Sequence, residues 1–195
     1  VKPQPLPARF YARDTRLVAR DLLGRLLIST IGGRRCVVRI VETEAYLGPH
    51  DPASHAAGGH RSRRNESMYG PPGLAYVYFT YGMHWCLNVV TERAGFPAAV
   101  LLRAGEPVTG LSTMKGRRRT EAAALLASGP ARLTQALGIT RALDGHRLNE
   151  PPLWIAAGEP VPKPRLAESP RIGIRRAAVW RLRFYELGNP CVSRP

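Results

Sequence analysis

Glu42 and Glu44 stand two residues apart at the end of the apolar run Val37-Val38-Arg39-Ile40-Val41-Glu42-Thr43-Glu44-Ala45-Tyr46. They are acids in a chain of 195 residues whose formal net charge is +15. If the run is a strand, its period of two puts Val38, Ile40, Glu42, Glu44 and Tyr46 on one face, where two carboxylates and a phenol share a half-buried surface. Carboxylates facing a surface suited to anions are unfavourable unless a reaction, a metal or a set of arginines needs them. This strand end is where chemistry is expected, with plain pairing to arginines as the alternative.

Three other groupings could contribute. In Tyr76-Val77-Tyr78-Phe79-Thr80-Tyr81, alternation sends aromatic rings to both faces, and a core needs only one of them. Rings left exposed in a basic protein can stack on bases, and Tyr81-Gly82-Met83-His84 at a turn could enter a groove and fill the gap left by an extruded nucleotide. His50, Asp51, His55 and His60 follow Glu44 in a loop, without the His-x-x-x-His spacing or the cysteines of a common metal site. Arg103 ends the apolar segment Ala99-Val100-Leu101-Leu102-Arg103 and calls for a carboxylate, either Glu44 or the nearby Glu106.

The positive charge is carried almost wholly by arginine, because the only lysines are Lys2, Lys115 and Lys163. Guanidinium forks bind phosphate oxygens in pairs and stack on bases, so nucleic acid is the expected partner. A hydrophobic fraction of 44% and this length fit one globular domain. No long apolar span or signal-peptide pattern is present, so a membrane or secreted protein is not expected. Cys36, Cys86 and Cys191 lack Cys-x-x-Cys spacing, which fits a reducing, cytoplasmic setting without disulfides or structural zinc.

The elements that must position these groups follow from periodicity. Residues 1–9 are proline-rich and read as extended and flexible, with a single domain over 10–195. Asp14 should cap a helix over 15–23 with Leu17, Val18, Leu22 and Leu23 as its apolar stripe. Segments 25–31 and 36–46 read as a hairpin turning at Gly32-Gly33, and 47–73 as a long functional loop. A second hairpin runs over 74–81, turns at Gly82 and returns over 85–90, and 98–103 is a buried strand. Residues 115–120 read as a mobile basic run, Thr120 as the cap of a helix over 121–127, and 130–137 as a helix closed by Gly138. Short strands are expected at 153–157, 171–174 and 180–185.

Taken in order, Arg39 to Pro49 with Asp51 and His55, Arg64-Asn65 with Met68, Tyr76-Val77-Tyr78, Tyr81-Gly82-Met83, Asn88 and Val100-Leu101-Leu102-Arg103-Ala104 resemble the alkyladenine (3-methyladenine) DNA glycosylase family. Ser128-Gly129-Pro130, Pro170-Arg171-Ile172-Gly173-Ile174 and Leu182-Arg183-Phe184-Tyr185 extend the resemblance to the C-terminal end. It implies an α+β fold: one domain around a curved antiparallel sheet with flanking helices and a protruding hairpin. It implies a catalytic set of Glu44 as the base for water, held with Arg103 and the Ile172 carbonyl. Tyr46, His55 and Tyr78 would line a pocket for a flipped purine, and Asn88 would crowd the 2-amino group of guanine. Tyr81 would replace the flipped base, with Met83 and Arg64 also at the DNA. The implied partner is duplex DNA bearing damaged purines, met in the minor groove by a monomer that needs no cofactor or metal. His84 and the loop 92–97 depart from the family pattern.

An aromatic pocket suits a cationic alkylpurine, and a carboxylate both activates water and stabilises an oxocarbenium-like sugar. The lysines lie far from these motifs, so Schiff-base lyase chemistry is not expected. Two rivals remain open in the sequence: a non-catalytic nucleic-acid binder, and a metal-dependent nuclease built on Glu42, Glu44 and the histidine loop.

Overall fold

The strand that carries the two glutamates is the hub of the sheet. In the computed structural model, which describes residues 4–80 and 82–194, β1 (Leu26–Ser29) and β2 (Cys36–Tyr46) form the first hairpin. The chain then builds β3 (Ala75–Thr80), β4 (His84–Thr91) and β5 (Ala98–Thr109), followed by β6 (Asn149–Glu150), β7 (Leu153–Ala156), β8 (Leu166–Ser169) and β9 (Arg183–Glu186). All pairings are antiparallel, in the order β3-β4-β5-β2-β1-β7-β6, with β9 pairing β2 and β8. The architecture is α+β in one curled sheet.

One edge of β2 runs along β5. The other edge changes partner midway, pairing β1 through Cys36 to Arg39 and β9 through Glu42 to Glu44. At the fork the Ile40 amide and carbonyl bond Arg25 and Gly24, each at 2.8 Å. Gly24 has φ +85°, and a Cβ there would stand 2.0 Å from the Glu159 carbonyl oxygen, so only glycine lets the two segments meet.

Register shifts against β5 between Ile40, Glu42 and Thr43 mark a bulge at the same place. It corrects the expected alternation. Val38 and Ile40 lie in the main core, but beyond the bulge Thr43 donates to the Ala19 carbonyl at 2.8 Å and Ala45 joins the core. Glu42, Glu44 and Tyr46 are thereby turned to the opposite face from Val38 and Ile40, which is how a bulge re-aims side chains near a site.

Among the described residues four helices flank the sheet: α1 (Ala8–Tyr11), α2 (Thr15–Asp21), α3 (Leu111–Arg118) and α4 (Pro130–Leu137). Asp14 caps α2 by accepting from the amides of Arg16 and Leu17, as its position predicts. Val18, Leu22 and Leu23 are buried, each contributing roughly 1.5–3 kcal/mol, whereas Leu17 is 48% exposed and leaves the expected stripe. Gly138 ends α4 in the left-handed region. Within the proline-rich start, Leu6 is buried and donates to the Ile155 carbonyl at 2.9 Å.

Three segments differ from expectation. The basic run 115–120 lies mostly inside α3, where Arg117 donates to the carbonyls of Ile31 and Ala136 and ties the helix down. Residues 121–127 hold only a short 3-10 turn, Ala123–Leu125, because Leu126 and Ala127 turn into the core. Residues 171–174 form no strand; the pairing partner of β9 is β8, one segment earlier. The loop 47–73 is a chain of 3-10 turns that lays Ala56 and Met68 over Tyr76, Val90 and Ala99. It makes a second, smaller core.

Candidate active site

Glu44 is fully buried, yet three donors reach it. The Ile172 amide donates to Oε1 at 2.7 Å, the Tyr46 hydroxyl donates to Oε2 at 2.9 Å, and Arg103 Nη1 stands 3.2 Å from Oε1. Burial pushes its pKa above the ordinary carboxylate value; Arg103, the Ile172 amide and Tyr46 oppose that push, and the charge of Glu42 adds to it. Each carboxylate oxygen can accept twice, so Oε2 keeps capacity for one more donor.

Glu42 is equally buried but takes four hydrogen bonds, two of them from guanidiniums. Its Oε1 accepts from Arg103 Nε at 2.9 Å, Arg183 Nε at 2.7 Å and Ser193 Oγ at 2.9 Å, and its Oε2 accepts from the Ser193 amide at 2.7 Å. Burial is the largest influence and works upward, but Arg103, the Ser193 amide and Arg183 together outweigh it and hold Glu42 below its ordinary value. Two carboxylates and two guanidiniums thus form a neutral buried cluster, in which Glu42 anchors Arg103 and Arg103 steadies Glu44. The alternative partner for Arg103 fails, since Glu106 pairs with Arg39.

A cavity of about 300 Å³ opens beside this cluster, with Tyr46, His55, Tyr76, Tyr78, Asn88, Arg103 and Ile172 in its wall. Tyr76 and Tyr78 point to it from alternate positions of β3, while Val77 between them enters the main core. His55 Nδ1 bonds the Tyr76 hydroxyl at 2.7 Å, and its ring meets Tyr78 edge-on at 4.6 Å. Burial and then the charge of Arg64 push His55 down to about 4, so it is a neutral ring at neutral pH. Asn88 is pinned by donating to the Tyr76 carbonyl at 3.1 Å. The rings of Tyr46, His55, Tyr76 and Tyr78 gather on this wall, and Arg103 brings its charge to the end beside Glu44.

The methylpurine-DNA glycosylase family model matches residues 9–190. The chain belongs to the methylpurine-DNA glycosylase family. A protein of Carboxydothermus hydrogenoformans is 48% identical over 190 residues, covering 97% of this chain and 98% of the other. One from Myxococcus xanthus is 51% identical over 175 residues, covering 90% and 84%, and one from Methanoculleus marisnigri is 50% identical over 196 residues, covering 97% and 98%. Each carries the name "Putative 3-methyladenine DNA glycosylase".

Of the positions singled out by their likeness to this glycosylase family, Arg103, Ile172, Tyr46, His55, Tyr78 and Asn88 converge on the one cavity, and Glu44 is buried directly behind them, in contact with Arg103, Tyr46 and Ile172. Met83 is 67% exposed at the end of the β3–β4 hairpin. Arg64 is exposed, donates to the Phe79 carbonyl at 3.2 Å and lies over the Tyr78 ring at 5.6 Å. Tyr81 lies outside the described residues. Phe79 is the ring of β3 that reaches solvent, at 41% exposure, leaning on Trp85.

Ser193, Asp51 and Arg171 carry more of this cluster than their types announce. Ser193 clamps Glu42 from 151 positions away. Asp51 and Arg171, both buried, form a two-bond ion pair across 120 positions, and the Arg171 guanidinium lies 4.6 Å from the Tyr46 ring. The Asp51 of the histidine loop is thus bound to an arginine, and both strand glutamates are taken by guanidiniums, so among the described residues these acids do not gather into the ligand set that the metal-dependent nuclease requires. Among the described residues, no helix is long and apolar enough to cross a membrane.

Proposed function

We propose that this chain is a monofunctional DNA N-glycosylase of base excision repair that takes damaged purines out of duplex DNA and hydrolyses their N-glycosidic bond. The observation that carries the reading is the juxtaposition of a buried carboxylate with spare acceptor capacity, Glu44, and a neutral aromatic cavity, in a chain of net charge +15. A purine lies against Tyr46, His55 and Tyr78. Glu44 accepts a proton from water while its charge stabilises the sugar as it turns positive. Arg103 and the Ile172 carbonyl hold that water.

The alkylated bases 3-methyladenine and 7-methylguanine leave readily because they are already cationic; hypoxanthine and ethenoadenine are the neutral substrates. A neutral His55 spares the cationic bases a repelling charge. Asn88, held by the Tyr76 carbonyl, crowds the 2-amino group of an undamaged guanine. Tyr81 fills the space the base vacates, Met83 and Arg64 meet the minor groove beside it, and the protein acts as a monomer on the DNA of the cytoplasm. Extrusion costs a few kcal/mol, least at a damaged pair, which adds selectivity.

Neither described lysine lines the cavity: Lys115 on α3 is paired with Glu121, and Lys163 sits in a surface turn. The reaction therefore ends at an abasic site with the strand intact. Duplexes carrying one lesion each test the reading: free base should appear without strand cleavage and in the presence of chelator. Tight binding with no base released would favour the non-catalytic binder instead.

A further inference from the structure

Residues 170–176 lie against Glu44 without sheet support. Among the described residues this segment makes no backbone-to-backbone hydrogen bond, and it bends through Gly173 at φ +78°. Two anchors hold it to the rest of the protein. One is the Ile172 amide on Glu44 at 2.7 Å. The other is the Arg171 side chain, whose Nη2 donates to Asp51 Oδ1 at 2.8 Å and whose Nη1 donates to Asp51 Oδ2 and to the Ala45 carbonyl, the latter at 3.0 Å. Asp51 is itself fixed, accepting from the amides of Leu47 at 3.1 Å and Ala53 at 3.0 Å.

We propose that the Asp51–Arg171 pair is a positioning device that sets the Ile172 peptide against Glu44 and so controls how readily Glu44 gives up its proton. Its consequence for base release rests on the glycosylase reading. Both side chains are 0% exposed, which gives the pair a rigid, water-free geometry. Arg171 also reaches the residue after Glu44 through its carbonyl and the next one, Tyr46, through its ring. One guanidinium thereby ties the segment to the stretch of β2 that follows the reacting carboxylate. Glu44 is faced by Glu42 and Tyr46 from β2, Arg103 from β5, Cys86 from β4 and the Ile172 amide from this segment. Of these, the amide belongs to the segment that the clamp holds, and Tyr46 touches the clamp through its ring alone.

The test uses Asp51→Asn, with Arg171→Lys as a second clamp variant and Leu137→Ala as a core variant of comparable instability away from the cavity. Amide hydrogen exchange by NMR reads the clamp without requiring activity. Ile172 should exchange at least about 10-fold faster in both clamp variants, since a hydrogen bond to a charged group is lost. Leu137→Ala should accelerate exchange broadly without singling out Ile172. Base release under single-turnover conditions should fall about 10- to 100-fold in Asp51→Asn, with duplex affinity within about twofold. Its acid limb should move up by about one pH unit. An Ile172 amide as protected in the clamp variants as in wild type would overturn the proposal. So would a loss of rate that Leu137→Ala reproduces with no movement of the pH profile. If wild type released no base while the clamp variants still freed the Ile172 amide, the glycosylase reading would fall and the positioning role would stand.

Discussion

Glu42 and Glu44 share the guanidinium of Arg103, at 2.9 and 3.2 Å, and are driven in opposite directions. Glu42 is held below its ordinary value and Glu44 above it. The difference lies in the remaining donors: Arg183 and Ser193 complete the shell of Glu42, whereas Glu44 has one amide and one phenol. A base must be able to take a proton, and a carboxylate held acidic by two guanidiniums is the poorer candidate. Two acids on one strand acquire two roles from their surroundings.

Tyr46→Phe tests the donors on Glu44 directly. The hydroxyl favours the ionised carboxylate, so its removal raises the Glu44 pKa further, and the base form is lost at a higher pH. The acid limb of the rate profile should move up by about one unit with the high-pH plateau largely retained, because the ring and its packing on Arg171 remain. A profile that keeps its midpoint would place Tyr46 in packing alone.

Glu42→Gln should destabilise the fold by about 3–5 kcal/mol in urea unfolding, because it leaves Arg103 and Arg183 short of a buried counter-charge. The depressed pKa of Glu42 fixes the sign of the pH effect. Its contribution is complete above the unfolded carboxylate value and disappears as pH falls through the lower folded value, so wild type and variant should converge in acid. A constant gap across that range would contradict the assignment.

His55 behaves as a neutral wall. Its folded pKa of about 4 lies below the free value of 6.5, so between them the unfolded chain binds the extra proton. Stability should therefore fall as pH drops from 6.5 towards 4, and His55→Asn should flatten that part of the melting-temperature profile. An unchanged slope would show that another group is responsible.

Gly24→Ala should cost more than about 1 kcal/mol, since φ +85° is strained for alanine and the new methyl meets the Glu159 carbonyl. The loss should show as a lower melting temperature, and a variant as stable as wild type would mean that the fork at Ile40 can open without penalty.

Local chemistry made much of this legible. Asp14 and Gly138 announce the ends of α2 and α4, the hairpins follow from alternation and glycine, and Glu44, Tyr46 and His55 sit near a strand end or in the long loop. The bulge in β2 leaves no compositional mark, because Val41 and Ile40 are interchangeable in an alternating pattern and only the partner strands decide which turns inward. Helix α3 has a single buried side chain, Met114, and owes its place to the distant contacts of Arg117. The clamps on Glu42 and on segment 170–176 join residues more than a hundred positions apart, and many arginines could have supplied them.

Glu44 as the base is the central claim, and Glu44→Gln on a duplex carrying one 3-methyladenine or 7-methylguanine tests it most directly. Gln keeps the size and most hydrogen bonds but cannot take the proton. Single-turnover release of free base should drop by about 10²–10⁴ while affinity for the damaged duplex is retained. Base release by Glu44→Gln at the wild-type rate would contradict the account.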